Sequence, residues 1–289
     1  MKHLLSSWEE LEPSIQEQTV LLFLEYDGTL VPRTGSSSHV KMSPTTKKIL
    51  RTLLSLGGVK TAVVSSRPLA ELKRRVGISG LIYVASHGLE IEEPTLRFIH
   101  PHAASAKKLM EKLRERLKKT MKAFPLVHVE DRTFSLSVHY GRLAQDKIDR
   151  ARAVFFRTVR PYLGSSQIIV KEGRKAWEVR PAARWNKGTT IVWFYGKVLA
   201  HSSGKVLPIY LGGDSVDEDA FYSIKPLGIG VKMIEQAEEG SAASHFLRSP
   251  KEVLAFLKQV VSAKHAFEKA AVRQKKRIPM AEAPAGSQV

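Results

Sequence analysis

The chain has 289 residues, with 46 basic against 28 acidic side chains, a formal charge of +18 and no cysteine. That composition excludes disulfides and thiolate metal sites and favours anionic partners. No apolar run approaches the length of a membrane span, and the opening MKHLLSSWEELEP is too acidic for a signal peptide, so no membrane association is expected and the cytoplasm is the expected setting.

Residues 1–19 read as an amphipathic lead-in, with Trp8, Leu11 and Ile15 at helical spacing. Val20–Leu24 is a buried strand that stops at Glu25-Tyr26-Asp27-Gly28-Thr29, so two carboxylates two residues apart stand where strand becomes loop. In a parallel sheet that is the end where ligands bind. The polar loop Val31–Met42 is expected to be mobile, and Ser43-Pro44 opens a helix to about Leu56. Strand Lys60–Val64, helix Pro68–Val76, strand Leu81–Ala85 and a hairpin over Gly88–Ile99 follow.

From residue 101 the alternation breaks. Helix Ala103–Ala123, strands Leu126–Val129 and Phe134–Tyr140, helix Gln145–Tyr162, and strands Gln167–Lys171 and Ala176–Val179 describe a small open sheet with helices on one face. Alternation then resumes with helix Lys187–Leu199, strand Val206–Leu211, helix Asp217–Ile224 and strand Leu227–Val231, before a helix capped by Ser249 runs to Ala263. The fold expected is α/β: a Rossmann-like doubly wound parallel sheet over residues 1–100 and 181–263, with an α+β cap domain inserted at 101–180. Residues 264–289 are basic, hold little to bury, and are expected to be a disordered tail.

Four short segments carry the chemistry. They are Glu25-Tyr26-Asp27-Gly28-Thr29, Val63-Val64-Ser65-Ser66-Arg67, Trp185-Asn186-Lys187-Gly188 and Gly212-Gly213-Asp214-Ser215-Val216-Asp217-Glu218-Asp219-Ala220-Phe221. Between them stand Ser86-His87-Gly88-Leu89-Glu90, Glu130-Asp131-Arg132, Val138-His139-Tyr140 and Glu178-Val179-Arg180-Pro181. In this order the segments resemble the motifs of the haloacid-dehalogenase superfamily, and within it the trehalose-6-phosphate phosphatase family, from about Val20 to Leu257.

The resemblance implies an aspartyl-phosphate type of phosphatase with Mg²⁺. Glu25 stands at the nucleophile position, Asp27 at the acid/base, Ser65 on a phosphoryl oxygen and Lys187 as the cation. It implies a metal set of Glu25, Asp27, Asp214 and Asp217, and sugar-phosphate contacts by Arg67, His87, Glu130, Arg132, His139 and Glu178. Trehalose 6-phosphate is the substrate so implied, and a trehalose-phosphate synthase the partner. The sequence also departs from the family's pattern. Glu25 replaces the nucleophilic Asp, and Gly213 replaces an Asp that ligates Mg²⁺ directly. Ser66 replaces a Gly, Arg132 a Lys, and Gly141 an Arg.

Two readings stay open at this stage, a hydrolase of sugar phosphates and a paralogue that binds them without turnover. Basic residues spread over helices, with only 8% aromatics, argue against a specific nucleic-acid partner.

Overall fold

The computed structural model describes residues 1–33, 40–165, 167–173, 175–234 and 240–277. The elements among these are β1 Lys2–His3, α1 Trp8–Glu17, β2 Thr19–Glu25, α2 Pro44–Ser55, β3 Val59–Val64, α3 Leu69–Val76, β4 Ile82–Ala85, β5 Glu90–Glu93, β6 Leu96–Ile99, α4 Pro101–Met121, β7 His128–Asp131 and β8 Leu136–His139. There follow α5 Gln145–Gly164, β9 Ile168–Gly173, β10 Ala176–Pro181, α6 Lys187–Ala200, β11 Val206–Gly212, α7 Glu218–Ile224, β12 Ile229–Met233, β13 His245–Leu247 and α8 Pro250–Arg277.

Among the described residues the larger sheet runs β1-β13-β12-β11-β2-β3-β4-β5-β6, parallel from β1 to β4, with β5 and β6 added as an antiparallel hairpin. The chain leaves β2 toward β3 and β4, and after the cap returns on the other side of β2 through β11 and β12. The carboxyl end of β2 is thus the point where strand order reverses, and a crevice forms at such a point. The strand is apolar on both faces because both are covered: Leu22 and Leu24 pack in one core, Leu21 and Phe23 in the other.

The inserted segment forms a second sheet of order β7-β8-β10-β9, all antiparallel, with its own core of Met110, Leu117, Val138, Phe155, Trp177 and Val179. These residues join α4 and α5 to one face of the sheet. Register places Glu130 beside Ser137, Ser137 beside Glu178, and Glu178 beside Lys171, so one polar row crosses the opposite face.

The expected α/β architecture with an inserted cap is the one observed. Two short strands, β1 and β13, extend the sheet and carry no periodicity that a sequence reading could use. The expected disordered tail from residue 264 needs correction, since α8 continues to Arg277. Lys264 is buried and donates to the carbonyls of Gln16, at 3.2 Å, and Gln18, at 2.5 Å, at the end of α1, where unpaired carbonyls favour a cation. Glu268 accepts from the backbone of Gly57 at 3.0 Å. Residues 278–289 of the expected tail, and 34–39 of the expected mobile loop, lie outside the described residues. Among the described residues no helix is long and apolar enough to cross a membrane.

Candidate active site

Lys187 is the first residue of α6, and its placement is local in origin. Asn186 caps the helix: its side-chain oxygen accepts from Thr189 N at 2.9 Å, and Thr189 Oγ1 accepts from Asn186 N at 2.8 Å. The cap aims Lys187 back under β2. There its amine donates to Glu25 Oε1 at 2.8 Å and to Asp217 Oδ1, all three side chains being buried. Tyr210 donates to the same Asp217 oxygen at 2.7 Å, while the amides of Gly213 and Asp214 donate to the other at 2.9 and 2.8 Å. Gly213 N also donates to Glu25 Oε2 at 3.1 Å. Glu25, Asp214 and Asp217 each present an oxygen within 4.8 Å of the others. Their convergence fits a hard divalent cation, which takes oxygen ligands.

Charge inside this cluster is uneven. Burial and the neighbouring Asp217 push the Glu25 carboxyl well above the usual carboxylate range. Burial works against the charge of Asp217 too, but Lys187 and the donated hydrogen bonds hold it below its ordinary value. Burial opposes the Lys187 charge, and Asp217 and Glu25 outweigh it, keeping the amine protonated above its usual range.

Position 213, where the family's pattern has an Asp, carries no side chain here, and the space for one is closed. A Cβ there would lie 2.8 Å from Met233 Cβ and 3.0 Å from Met233 O, at the end of β12. Gly213→Ala is therefore expected to cost about 1–3 kcal/mol by forcing that strand end outward. Urea denaturation checks this; a loss below about 0.5 kcal/mol, the level of a neutral surface change, would mean that β12 yields freely.

Asp27 sits at the mouth, where Arg67 grips it with two parallel bonds, Nε to Oδ2 and Nη2 to Oδ1, both 2.9 Å. Arg67 Nη1 also donates to Glu71 at 2.6 Å. The side chain expected on substrate thus holds the carboxylate expected as acid/base. Ser65 is buried, and its Oγ accepts from Arg67 N at 3.1 Å, which ties the end of β3 to the same arginine.

Across the crevice, Glu178 is the hub of the cap face. Arg180 donates to its Oε2, His87 Nε2 lies 3.6 Å from that oxygen, and Arg132 Nη1 is 3.7 Å from Oε1. Burial raises the Glu178 carboxyl, but Arg180 and Arg132 bring it below its ordinary value. His87 stands on a strained turn, with Ser86, His87 and Gly88 at φ of 49°, 62° and 97°. Among the described residues neither His87 ring nitrogen has a hydrogen-bond partner, and nor do Arg132 Nε and Arg180 Nε. Burial first, then Arg180 and Lys187, hold the imidazole well below its ordinary pKa, so it is neutral. Buried donors left open around a carboxylate suit the hydroxyls of a polar ligand.

Two departures from the family's pattern meet each other. Arg132 Nη1 donates to Ser66 Oγ at 2.9 Å, joining cap to core, and Lys171 to Asp219 at 2.9 Å makes a second joint. Arg132 also donates to Glu130 at 3.0 Å, which shares its Oε2 with His139 at 2.8 Å. Burial opposes the Glu130 charge, but the His139 hydrogen bond and Arg132 bring its pKa from 4.5 down to about 2. A depressed carboxyl contributes stability above its unfolded value that is lost as pH falls. Stability should therefore decline by on the order of 1–2 kcal/mol between about pH 4.5 and 2 through this group, after discounting its partial exposure. Acid titration of Glu130→Gln should show a flatter limb over that window, and an unchanged limb would assign the decline elsewhere.

The expected residues thus fall into two sets, Glu25, Asp27, Ser65, Arg67, Lys187, Asp214 and Asp217 around the end of β2, and His87, Glu130, Arg132, His139 and Glu178 on the cap side. The sequence reading missed Arg33, Lys171, Arg180 and Tyr210. Arg180 had a signal, since two residues beyond Glu178 in a strand is the same face. The other three had none.

A protein-family model described as trehalose-phosphatase matches residues 23–251. The chain is 28% identical over 264 residues to "Probable trehalose-phosphate phosphatase 4" of Oryza sativa subsp. japonica, covering 89% of this chain and 70% of the rice protein. It is 32% identical over 238 residues to a trehalose-phosphate phosphatase of Mycobacterium tuberculosis, covering 81% of this chain and 59% of the relative. The fold is similar to the C-terminal domain of Candida albicans trehalose-6-phosphate phosphatase, with TM-score 0.75 and 21% identity over 90% of this chain and 98% of that one. Phosphatases of this family use a metal ion, in keeping with the three converging carboxylates. With the family model spanning the β2 mouth, the whole cap and the Asp217 turn, the chain belongs to the trehalose-phosphatase family.

Proposed function

We propose that this chain is a phosphohydrolase that removes phosphate from trehalose 6-phosphate or a closely related sugar phosphate, with residues 101–180 as the cap over the sugar. The observation that supports this most is one juxtaposition. Lys187 binds Glu25 and Asp217 at the end of β2, and the Glu178 hub with its open donors faces it from the cap.

Glu25 attacks phosphorus, and the bond from phosphorus to the sugar oxygen breaks. Asp27, protonated from solvent once it leaves its paired contact with Arg67, gives that proton to the sugar oxygen, leaving an acyl phosphate on Glu25. Water then attacks that phosphorus while Asp27 takes its proton, the bond from phosphorus to Glu25 breaks, and inorganic phosphate leaves with Glu25 a free carboxylate again. Lys187 offsets the negative charge that builds on the phosphoryl oxygens. Mg²⁺ is the ion this reading assigns to Glu25, Asp214 and the Asp27 carbonyl, where it would neutralise phosphoryl charge. Glu130, Glu178 and His139 accept or donate to sugar hydroxyls. A trehalose-phosphate synthase is the source of substrate this reading implies.

A second reading, binding without turnover, is favoured by the Glu25 carboxylate, both of whose oxygens are already bonded, and by the closed space at Gly213. Phosphate release from a panel of sugar phosphates at high Mg²⁺ decides between them. Release from trehalose 6-phosphate supports the hydrolase. No release together with thermal stabilisation of about 2.7 kcal/mol at a hundredfold excess over Kd supports the binder.

A further inference from the structure

Arg33 belongs to no motif and leaves the β2 loop beside Gly28. Its Nη1 pairs with Asp214 Oδ1 across 181 residues of sequence. Its guanidinium sits against Gly28: a Cβ there, where φ is +83°, would lie 2.7 Å from Nη2 and 2.8 Å from Nε. The left-handed backbone at Gly28 favours glycine, and the arginine occupies the space a side chain there would take. Partial burial works against the Arg33 charge, yet Asp214, Glu25 and Asp217 hold it above its ordinary value, so it lies in the field of all three carboxylates. Asp214 is the carboxylate a divalent cation would need, and the neighbouring position 213 offers no other. Three acids here meet two cations, Lys187 and Arg33.

We infer that Arg33 is a tethered cation of this site, taking on Asp214 the place of a divalent metal ion, so that the protein binds a phosphate dianion without one. The inference rests on the phosphate-site reading above and sets Arg33 where that reading sets Mg²⁺. A guanidinium suits the task, because it is always charged and its planar fork spans a carboxylate oxygen and a phosphate oxygen together. Tethering also fixes the charge at the mouth without recruiting an ion from solution. The same contact makes Arg33 and a free cation rivals for one carboxylate oxygen.

Calorimetric titration of the full chain with inorganic phosphate tests this, in EDTA and in excess Mg²⁺, with Arg33→Gln beside the unmodified protein. Expected is binding by the unmodified protein in EDTA, a loss of about tenfold or more in affinity on Arg33→Gln in EDTA, and recovery of the variant in Mg²⁺. In a separate titration with Mn²⁺, the variant should bind the ion about tenfold tighter than the unmodified protein. Equal phosphate affinity of the two proteins in EDTA would overturn the inference. So would phosphate binding by the unmodified protein only with Mg²⁺, a result that leaves the phosphatase reading intact. Unchanged Mn²⁺ affinity would overturn the rivalry at Asp214. No phosphate binding in either buffer would overturn the inference and the phosphate-site reading together.

Discussion

Replacing Lys187 by Met should lower stability by about 3–5 kcal/mol, a fall in Tm of roughly 10 °C for a chain of this size. Lys187 is 3% exposed and is the shared partner of Glu25 and Asp217, which are themselves 2% and 0% exposed. Methionine fills the space of the lysine stem but returns no charge. Two carboxylates would then face each other in the protein interior with only Tyr210 and backbone amides to hold them. Glu25, already pushed up by burial and by Asp217, would take up a proton and recover part of the loss. The lysine is held protonated above its ordinary range, so its stabilisation is present throughout neutral pH, while proton uptake by Glu25 in the variant should make the deficit smaller at pH 6 than at pH 8. Chemical denaturation of the two proteins measures it. A variant within about 1 kcal/mol of the parent, the ordinary scale of a point substitution, would mean that the cluster is not buried as described.

Changing Glu25 to Asp should raise phosphate release from trehalose 6-phosphate by about 10²-fold, and Glu25→Gln should abolish it. Glutamate reaches about one ångström further than aspartate, which is enough to displace the attacking oxygen from its line of approach. In this site the extra reach carries Oε2 to the amide of Gly213 at 3.1 Å while Oε1 stays on Lys187 at 2.8 Å, so both oxygens already accept a hydrogen bond. Shortening the side chain releases the Gly213 contact and leaves one oxygen for phosphorus. Glutamine keeps the length and loses the nucleophile. Single-turnover release of phosphate, followed with Mg²⁺ present, separates these effects from product release. A Gln variant as active as its parent would remove Glu25 from the reaction. Silence of the Asp variant beside a silent parent would favour binding without turnover. Restoring a carboxylate at Gly213 in the same background is not a neutral addition, because Met233 must move first.

Legibility in the sequence followed the range of the interactions. The buried strand ending at Glu25 could be read because apolar run and acidic stop lie within a few residues. Helix α2 could be read from Ser43 and Pro44, and the Ser43 side chain does accept from Thr46 N at 3.0 Å. Asn186 and Thr189 close their capping box within one turn, so the place of Lys187 at a helix start was equally local. The end of α8 was misread because its support is distant: Lys264 answers to carbonyls of Gln16 and Gln18 at the other end of the chain.

Alternating strand and helix patterns, the break at residue 101, and the order of the motif residues were thus determined by the sequence alone, since each depends on near neighbours or on side-chain chemistry. Only the tertiary structure decided which residues meet. Strand register, set by packing of whole faces, lines up Glu130, Ser137, Glu178 and Lys171. The return of the chain beside β2 sets Arg33 on Asp214 and Met233 against Gly213. Such contacts join segments far apart in sequence, and no local propensity encodes them, because the burial that stabilises them exists only once both sheets have formed.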